Sequence, residues 1–194
     1  MTTDRSDLAA LLGSRICHDL IGPLGAIGNG VELLLMDGRV KGPEVDLIAE
    51  SVAHANARIR FFRLAFGAAR SEQPVPLPEI RSILAEMTRG ARLSIDWQAA
   101  GNPPRAEAKL AFLAIQCLES AMPWGGRITI DREGDGWRVR GEAPRLKADP
   151  ALWAMLAARR AEPVAPAAVH FVLLAEGAPR LATELGDTAL AIRF

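Results

Sequence analysis

The sequence carries no net charge, with 23 Lys and Arg side chains set against 23 Asp and Glu in 194 residues, and its pI is near 6.8. Proteins that bind nucleic acid draw much of their affinity from neutralising phosphates, so this balance excludes the broad basic footprint of that class and leaves room only for a local patch. Cysteine is scarce. The two present, Cys17 and Cys117, lie far apart inside apolar stretches, which excludes a disulfide framework and a paired zinc knuckle and fits a reducing cytoplasm. A secretory signal is not seen: Met1 to Asp7 carries acidic residues and no basic-then-apolar order. Apolar runs such as Val172-Leu173-Leu174-Ala175 fall far short of the ~20 residues that cross a bilayer, so a soluble chain is expected, without a membrane partner. Internal repeats and low-complexity tracts are also missing. What is abundant is apolar material. A hydrophobic share of 49% and a slightly positive mean hydropathy exclude a disordered chain, and the length suits one good core or two small ones, since domains commonly run to about 50–200 residues.

The first third is patterned for helices. Leu8, Leu12, Ile16, Leu20, Leu24, Ile27, Val31 and Leu34 recur by threes and fours and keep one stripe on one face of a helix from about Ser6 to Met36. Gly38, Gly42 and Pro43 punctuate the chain, with the proline at a favoured first-turn position for a second helix. That helix carries Val45, Ile48, Val52, Ala55, Ile59, Phe62 and Phe66 in the manner of a heptad seam. Two long helices joined by a short loop make an antiparallel hairpin. Its stripes would leave much apolar surface wet in a monomer. Pairing two hairpins into a four-helix bundle, a homodimer through residues 8–68, covers that surface; the alternative is a monomer whose hairpin folds onto its own C-terminal half.

Ser71-Glu72-Gln73-Pro74-Val75-Pro76-Leu77-Pro78 cannot continue a helix and holds an extended path, which places a domain boundary there: 1–72 for the hairpin and 73–194 for the remainder. Beyond it the spacing predicts a short helix through Ile80 and Met87, a strand through Leu93, Ile95 and Trp97, and a helix from Pro104 to Met122. Arg127 to Asp131 and Trp137 to Arg140 flank Glu133-Gly134-Asp135-Gly136 as a hairpin. Two further helices are expected over Ala151–Arg160 and Ala167–Leu185, and a closing strand through Thr188, Leu190, Ile192 and Phe194. The fold class is therefore α+β: a helical hairpin followed by a two-layer domain with helices on one face of a mixed sheet.

The unusual local feature is Cys17-His18-Asp19-Leu20-Ile21-Gly22-Pro23, in the middle of the first helix. At about 100° per residue, His18 falls roughly 80° off the apolar stripe, at the edge of the seam and within reach of solvent. Pro23 costs roughly 3 kcal/mol inside a helix, and Gly22, Gly25, Gly28 and Gly30 about 1 kcal/mol each relative to alanine. A smooth, small-residue surface beside an exposed imidazole would let a partner approach the ring closely, and that gain offsets the cost. A neutral imidazole attacks phosphorus well and keeps the phosphoryl group at high transfer potential; a neighbouring carboxylate such as Asp19 can fix its tautomer. A helix-interior histidine satisfied by a buried carbonyl is the bland alternative. Asp19, Pro23 and the glycines tilt the balance towards chemistry.

The stretch from Arg15 to Leu34 resembles the phosphoacceptor box of histidine kinases, and most closely that of the ChpT-type histidine phosphotransferases of alphaproteobacteria. The resemblance implies a dimeric helical hairpin carrying a phosphorylatable histidine, followed by a degenerate copy of the kinase ATP-binding domain, a layout that agrees with the order of elements over the whole chain. His18 takes the place of the phosphoacceptor, Asp19 that of the adjacent acid and Pro23 that of the box proline. A working kinase domain would also need a metal-holding asparagine helix, an adenine loop and a glycine-rich lid. The corresponding places read Gln116-Cys117-Leu118-Glu119-Ser120, Gly141-Glu142-Ala143-Pro144-Arg145 and Leu174-Ala175-Glu176-Gly177-Ala178, so no nucleotide site and no metal of the chain's own are expected. Gly22 stands four residues after the histidine, where bifunctional kinases often carry threonine or asparagine, which argues against strong phosphatase activity.

The resemblance thus implies phosphoryl transfer through His18 between aspartates of response-regulator receiver domains, with the receiver of a hybrid kinase as donor and with Mg²⁺ supplied by the receiver. Arg15, Ile21, Gly22, Pro23 and Gly25, within a turn or two of His18, are the expected partner-binding residues. A non-catalytic dimeric adaptor that binds receivers is the rival reading. Cys17, His18 and Asp19 are consecutive and cannot converge on one metal as i and i+4 ligands do, and Gly25-Ala26-Ile27-Gly28-Asn29-Gly30 lies mid-helix without a preceding strand, unlike a dinucleotide or phosphate loop. His54 and His170 read as structural or surface residues, His54 with a lesser prospect of a part near His18. Arg58, Arg60, Arg63 and Arg70 read as a solvated basic face able to receive an acidic partner.

Overall fold

A computed structural model describes residues 5–37, 42–69, 73–160 and 162–194. Two long helices come first, α1 (Arg5–Asp37) and α2 (Pro43–Phe66). They run antiparallel: a Cβ added at Gly13 would stand 3.2 Å from Phe66 Cβ, and one added at Gly28, four turns along, 3.5 Å from Val52. These two glycines let the helices approach closely at both ends of the contact. Pro43 opens α2, with Glu44 and Asp46 in its first turn where the helix dipole favours acids. The expected loop glycine Gly38 and residues 70–72, beside the expected boundary, lie outside the described residues.

Of the proline-spaced segment, residues 73–76 run outside any helix, whereas Leu77 and Pro78, expected to extend that path, already open the next helix, where proline suits the first turn. Val75 N donates to Pro103 O at 2.9 Å, and Pro74 bridges Pro104. From there the chain forms α3 (Leu77–Met87), β1 (Leu93–Trp97), α4 (Arg105–Ala121), β2 (Gly126–Glu133), β3 (Gly136–Glu142), α5 (Pro150–Ala157), a 3-10 turn (Pro166–Ala168), α6 (Val169–Gly177), β4 (Ala182–Leu185) and β5 (Ala189–Arg193). The strands form one mixed sheet in the order β1-β2-β3-β5-β4, in which only the β1–β2 pair is parallel. Ile130, Val139 and Ile192 stand side by side in the register and are fully buried beneath the helices. On the opposite face Arg127, Arg138, Arg140 and Arg193 pair with Asp96, Glu133, Glu142 and Glu184. One apolar and one charged face give the strands their alternation.

Two sequence expectations shift at helix ends. The helix expected over Ala167–Leu185 ends at Gly177, and its last four residues are strand β4. Gly177 and Pro179 break the helix, after which Thr183 faces Ile192 and Leu185 faces Leu190 across an antiparallel hairpin. The helix expected to reach Arg160 stops at Ala157. Arg159 there adopts a left-handed backbone, φ 52°, and its side chain donates to Ala178 O at 2.8 Å. The start of this helix is firmly set, since Asp149 Oδ1 accepts from Ala151 N at 2.9 Å with Pro150 at the first position.

The core does not stop at the hairpin. Ala57, Phe61, Leu64 and Ala65 of α2 are buried among residues of α3 and α4. Phe61 meets Phe112 at 4.7 Å between centroids, Phe112 meets Trp97 at 6.3 Å, and Trp97 meets Trp137 at 5.1 Å. This file of rings runs from the hairpin to the sheet. The sequence stripe of α2, Val45 to Phe66, marks a different face. Only Ile59 of that stripe is buried, whereas Ile48 is 50% exposed. An apolar helix with two partners shows two stripes, and the second, through Ala57, Phe61 and Leu64, was not picked out in the sequence.

The stripe of α1 is largely bare. Ile16, Leu20 and Ile27 are 55%, 46% and 51% exposed, and Leu12 and Leu34 are similarly open. The residues that α1 buries against α2 are Ala10, Cys17 and Val31. By length and composition alone Ala9–Asp37 is apolar enough to cross a bilayer, but along the same helix Arg15, His18 and Asp19 are exposed.

Candidate functional site

His18 projects from the middle of α1 with 82% of its side chain exposed. The neighbouring Asp19 reaches it despite the divergence of adjacent helical positions: Oδ1 lies 3.2 Å from His18 Nδ1. The other carboxylate oxygen is taken by Arg15, whose Nε donates to Asp19 Oδ2 at 2.8 Å from one turn earlier. Hydrogen bonding to His18 and then to Arg15 holds the Asp19 carboxyl below the usual carboxylate range. Asp19 is therefore an acceptor, and an imidazole that donates from Nδ1 leaves Nε2 with its lone pair in solvent.

The helix continues unbroken through Pro23. Proline has no N–H, so the Asp19 carbonyl loses its usual partner four residues on. The glycines divide into two groups. A Cβ added at Gly28 would contact Val52 and Asn56, whereas Cβ atoms at Gly22, Gly25 and Gly30 would meet nothing within 4 Å. Internal packing thus accounts for Gly28 and leaves the other three without a partner among the described residues. At 3.6 residues per turn, His18, Gly22 and Gly25 share a face. Ile21 is half-buried and, with Gly25 and Gly28, lines an open groove of ≈ 660 Å³ floored by Val52, Ala53 and Asn56 of α2. Pro23 lies on the exposed side of α1 towards Ile16 and Ile27. Of the expected partner-binding residues, Ile21, Gly22 and Gly25 thus flank His18 and Arg15 is engaged with Asp19. His54 is exposed and lines a smaller recess with Glu50 and Arg89, on α2 and beyond α3 rather than in contact with His18.

The basic face of α2 has acidic partners within the chain. Arg58 Nη1 donates to both oxygens of Glu119, at 3.0 and 3.2 Å; Arg60 meets Glu86 at 3.2 Å and Arg63 meets Glu79 at 2.9 Å. Arg70 lies outside the described residues. Sequence reasoning missed the return contacts from α4. Arg105 donates to Leu64 O at 2.9 Å and also to Arg63 O, and Lys109 donates to Gly67 O at 3.0 Å. These cations satisfy carbonyls at the C-terminus of α2, which a helix end leaves open. Burial lowers the Arg105 guanidinium pKa. The sequence signal for them was weak: a basic residue opening a helix, where the dipole disfavours it, and a second one a turn later.

Three segments stand where the resemblance puts a kinase's nucleotide-binding groups. Gln116, Cys117 and Leu118 are buried, Glu119 is held by Arg58, and Ser120 Oγ donates to Cys117 O at 2.8 Å. A Cβ at Gly141 would strike Met122 Sδ at 2.7 Å, and Leu174, Ala175 and Ala178 are buried. His170, also buried, packs on Phe171, and burial pushes its imidazole down to about 4.

Residues 77–188 match the family model for the histidine phosphotransferase C-terminal domain. A protein phosphotransferase, ChpT, from Brucella abortus (strain 2308) is 37% identical over 136 residues, a match spanning 69% of this chain and 65% of that relative. The chain belongs to the histidine phosphotransferase family. Its fold agrees with the family over its full length: the 1.7 Å structure of a bacterial phosphotransferase superposes with a TM-score of 0.65 at 27% identity, covering 100% of this chain and 98% of that one. A histidine kinase from Burkholderia phymatum STM815 aligns at a TM-score of 0.41 and 16% identity. The family model begins at the start of α3, so α1 and α2, with His18, stand outside its match.

Proposed function

We propose that the chain is a phosphorelay phosphotransferase: His18 takes a phosphoryl group from the aspartyl phosphate of one receiver domain and passes it to the aspartate of another. The observation that carries this reading is the exposed imidazole whose Nδ1 faces Asp19 Oδ1 at 3.2 Å, beside glycines with open space above them. In the first step the Nε2 lone pair attacks phosphorus, an N–P bond forms, and the P–O bond to the donor carboxylate breaks with its electrons left on that carboxylate. The second step is the reverse with a different carboxylate. The receiver brings Mg²⁺ and its own cation to stabilise the phosphoryl group in flight; this chain brings the positioned nucleophile, Asp19 and the docking face formed by Ile21, Gly22 and Gly25. Membership of the family and the phosphotransferase named among its relatives support the reading.

The same reading includes a homodimer. Leu12, Ile16, Leu20, Ile27 and Leu34 form an exposed apolar strip along α1, with Ile48 of α2 also open, and a second copy of the hairpin would cover them as a four-helix bundle. The sequence departures over 116–120, 141–145 and 174–178 support transfer without ATP. A cytoplasmic location suits two free cysteines, both buried, and soluble receiver partners, among them the receiver of a hybrid kinase as donor.

The test is to mix the protein with pre-phosphorylated receiver domains, without ATP, and follow radiolabel onto it and then onto unphosphorylated receivers. Labelling that is acid-labile and base-stable, and that vanishes in His18→Ala while the protein remains folded, is the expected result. Receivers that bind without any label passing to His18 would replace the phosphotransferase with the adaptor.

A further inference from the structure

Arg15 is set apart by what it does not do. Its side chain is 75% exposed, and its Nε is committed to Asp19 Oδ2 at 2.8 Å. Helix stability does not account for the pair. The basic residue precedes the acid, the less favourable order for an i,i+4 pair, and both residues sit mid-helix, beyond the reach of the terminal dipole. The contact does have a consequence for His18. A carboxylate one residue away has several rotamers, and only some of them aim an oxygen at the ring. With Oδ2 anchored one turn back, Oδ1 is turned towards Nδ1.

We infer that Arg15 is a positioning residue, which anchors the Asp19 carboxylate so that it holds the His18 imidazole in the Nδ1–H tautomer and leaves Nε2 free to attack. The inference rests on the phosphotransfer reading and deepens it. During transfer the Nδ1 proton stays in place, hydrogen-bonded to Asp19, while Nε2 gains phosphorus and the ring becomes a phosphoimidazolium. Return of the phosphoryl group to a carboxylate restores the neutral ring. Arg15 supplies neither proton nor electrons; it fixes an orientation. The partner-binding role expected for Arg15 from sequence gives a different signature, because a docking contact would slow transfer and leave the free ring unchanged.

The experiment uses the full chain labelled with ¹⁵N-histidine, with long-range ¹H–¹⁵N correlations read at a pH where the ring is neutral, alongside labelling rates from one phosphorylated receiver. His18 in the unmodified protein should be mainly the Nδ1–H tautomer. Arg15→Ala should move the ratio towards Nε2–H by about two- to fivefold, the range an exposed ion pair supports, and slow labelling by a similar factor; Arg15→Lys should restore both. A tautomer ratio in Arg15→Ala equal to that of the unmodified protein overturns the inference, and if the rate still falls Arg15 is a docking residue instead. An Arg15-dependent ratio in a protein that no receiver labels would keep the positioning role and sink the phosphotransfer reading. Labelling with an Arg15-independent ratio does the reverse.

Discussion

Acid should unfold this protein in part through His170, and the size of the effect follows from its burial. The ring is 6% exposed, packs at 4.9 Å against Phe171, and has Nε2 without a hydrogen-bond partner among the described residues. Nothing there compensates a charge, so its pKa falls from 6.5 to about 4. Because the folded-state value lies below the unfolded one, the contribution is fully present above the unfolded pKa and is lost as pH falls through the window between the two. The unfolded chain binds the proton first. Integrating the proton difference gives a loss of about 2 kcal/mol between pH 7 and pH 5, and about 3 kcal/mol once pH passes below the folded value. The assay is urea unfolding at pH 7, 6 and 5, at fixed protein concentration so that any association contributes equally, with His170→Leu as the comparison. The carboxylates with lowered values, Asp19, Asp96 and Glu184, titrate alike in both proteins and cancel. His170→Leu should lose about 2 kcal/mol less over this range. Parallel losses in the two proteins would refute the reasoning, since the ring would then be able to ionise in place.

Gly25→Ala should separate stability from function. The new Cβ meets nothing within 4 Å, so the helix gains about 1 kcal/mol and the melting temperature rises by about 2–4 °C, while labelling by a receiver slows; a variant both more stable and equally fast would remove the docking role from that glycine. Ile27→Glu, on the open strip of α1, should leave the helical content intact and yield a monomer by light scattering, and persistence of a dimer would place the interface elsewhere. Arg58→Ala and Glu119→Gln should each lower stability by about 1 kcal/mol, with a coupling of about 0.5–1 kcal/mol in the double-mutant cycle; additive losses would mean that the pair is incidental.

Much of the fold was legible because its punctuation is local. Pro43, Pro104, Gly125 and the Glu133-Gly134-Asp135-Gly136 turn act within a few residues, and the elements between them form where period and length predict. Gly134 takes φ 60° in that turn, a conformation glycine adopts without strain. The misreading of Ala167–Leu185 arose from a run in which alanine and leucine suit helix and strand alike; only the tertiary pairing of β4 with β5 decides it. The second stripe of α2 was hidden for a related reason. Ala57, Phe61 and Leu64 become a core only when α4 arrives from more than forty positions away; the partner of Arg58 comes from α4 as well, and those of Arg60 and Arg63 come from α3. At the site, Pro23 and the glycines stood out because they cost helix stability, and His18 with Asp19 because a structural segment needs neither. Arg15 did not. Its anchoring of Asp19 is a matter of rotamers, which spacing permits without selecting.

The file of rings from Phe61 through Phe112 to Trp97 and Trp137 bears on how this molecule can be divided. A cut beside residue 72 separates segments in sequence but passes through a single apolar body: the piece 73–194 would present the bared flank of Phe112 to water, and the piece 1–72 that of Phe61. Moving the cut to just before Pro43 keeps α2 with the sheet and leaves α1, the helix that carries His18, on the other side. In engineering terms, α2 belongs to the platform that carries the sheet, and a replacement for the helix bearing the imidazole has to keep the close approach to α2 that Gly13 and Gly28 allow.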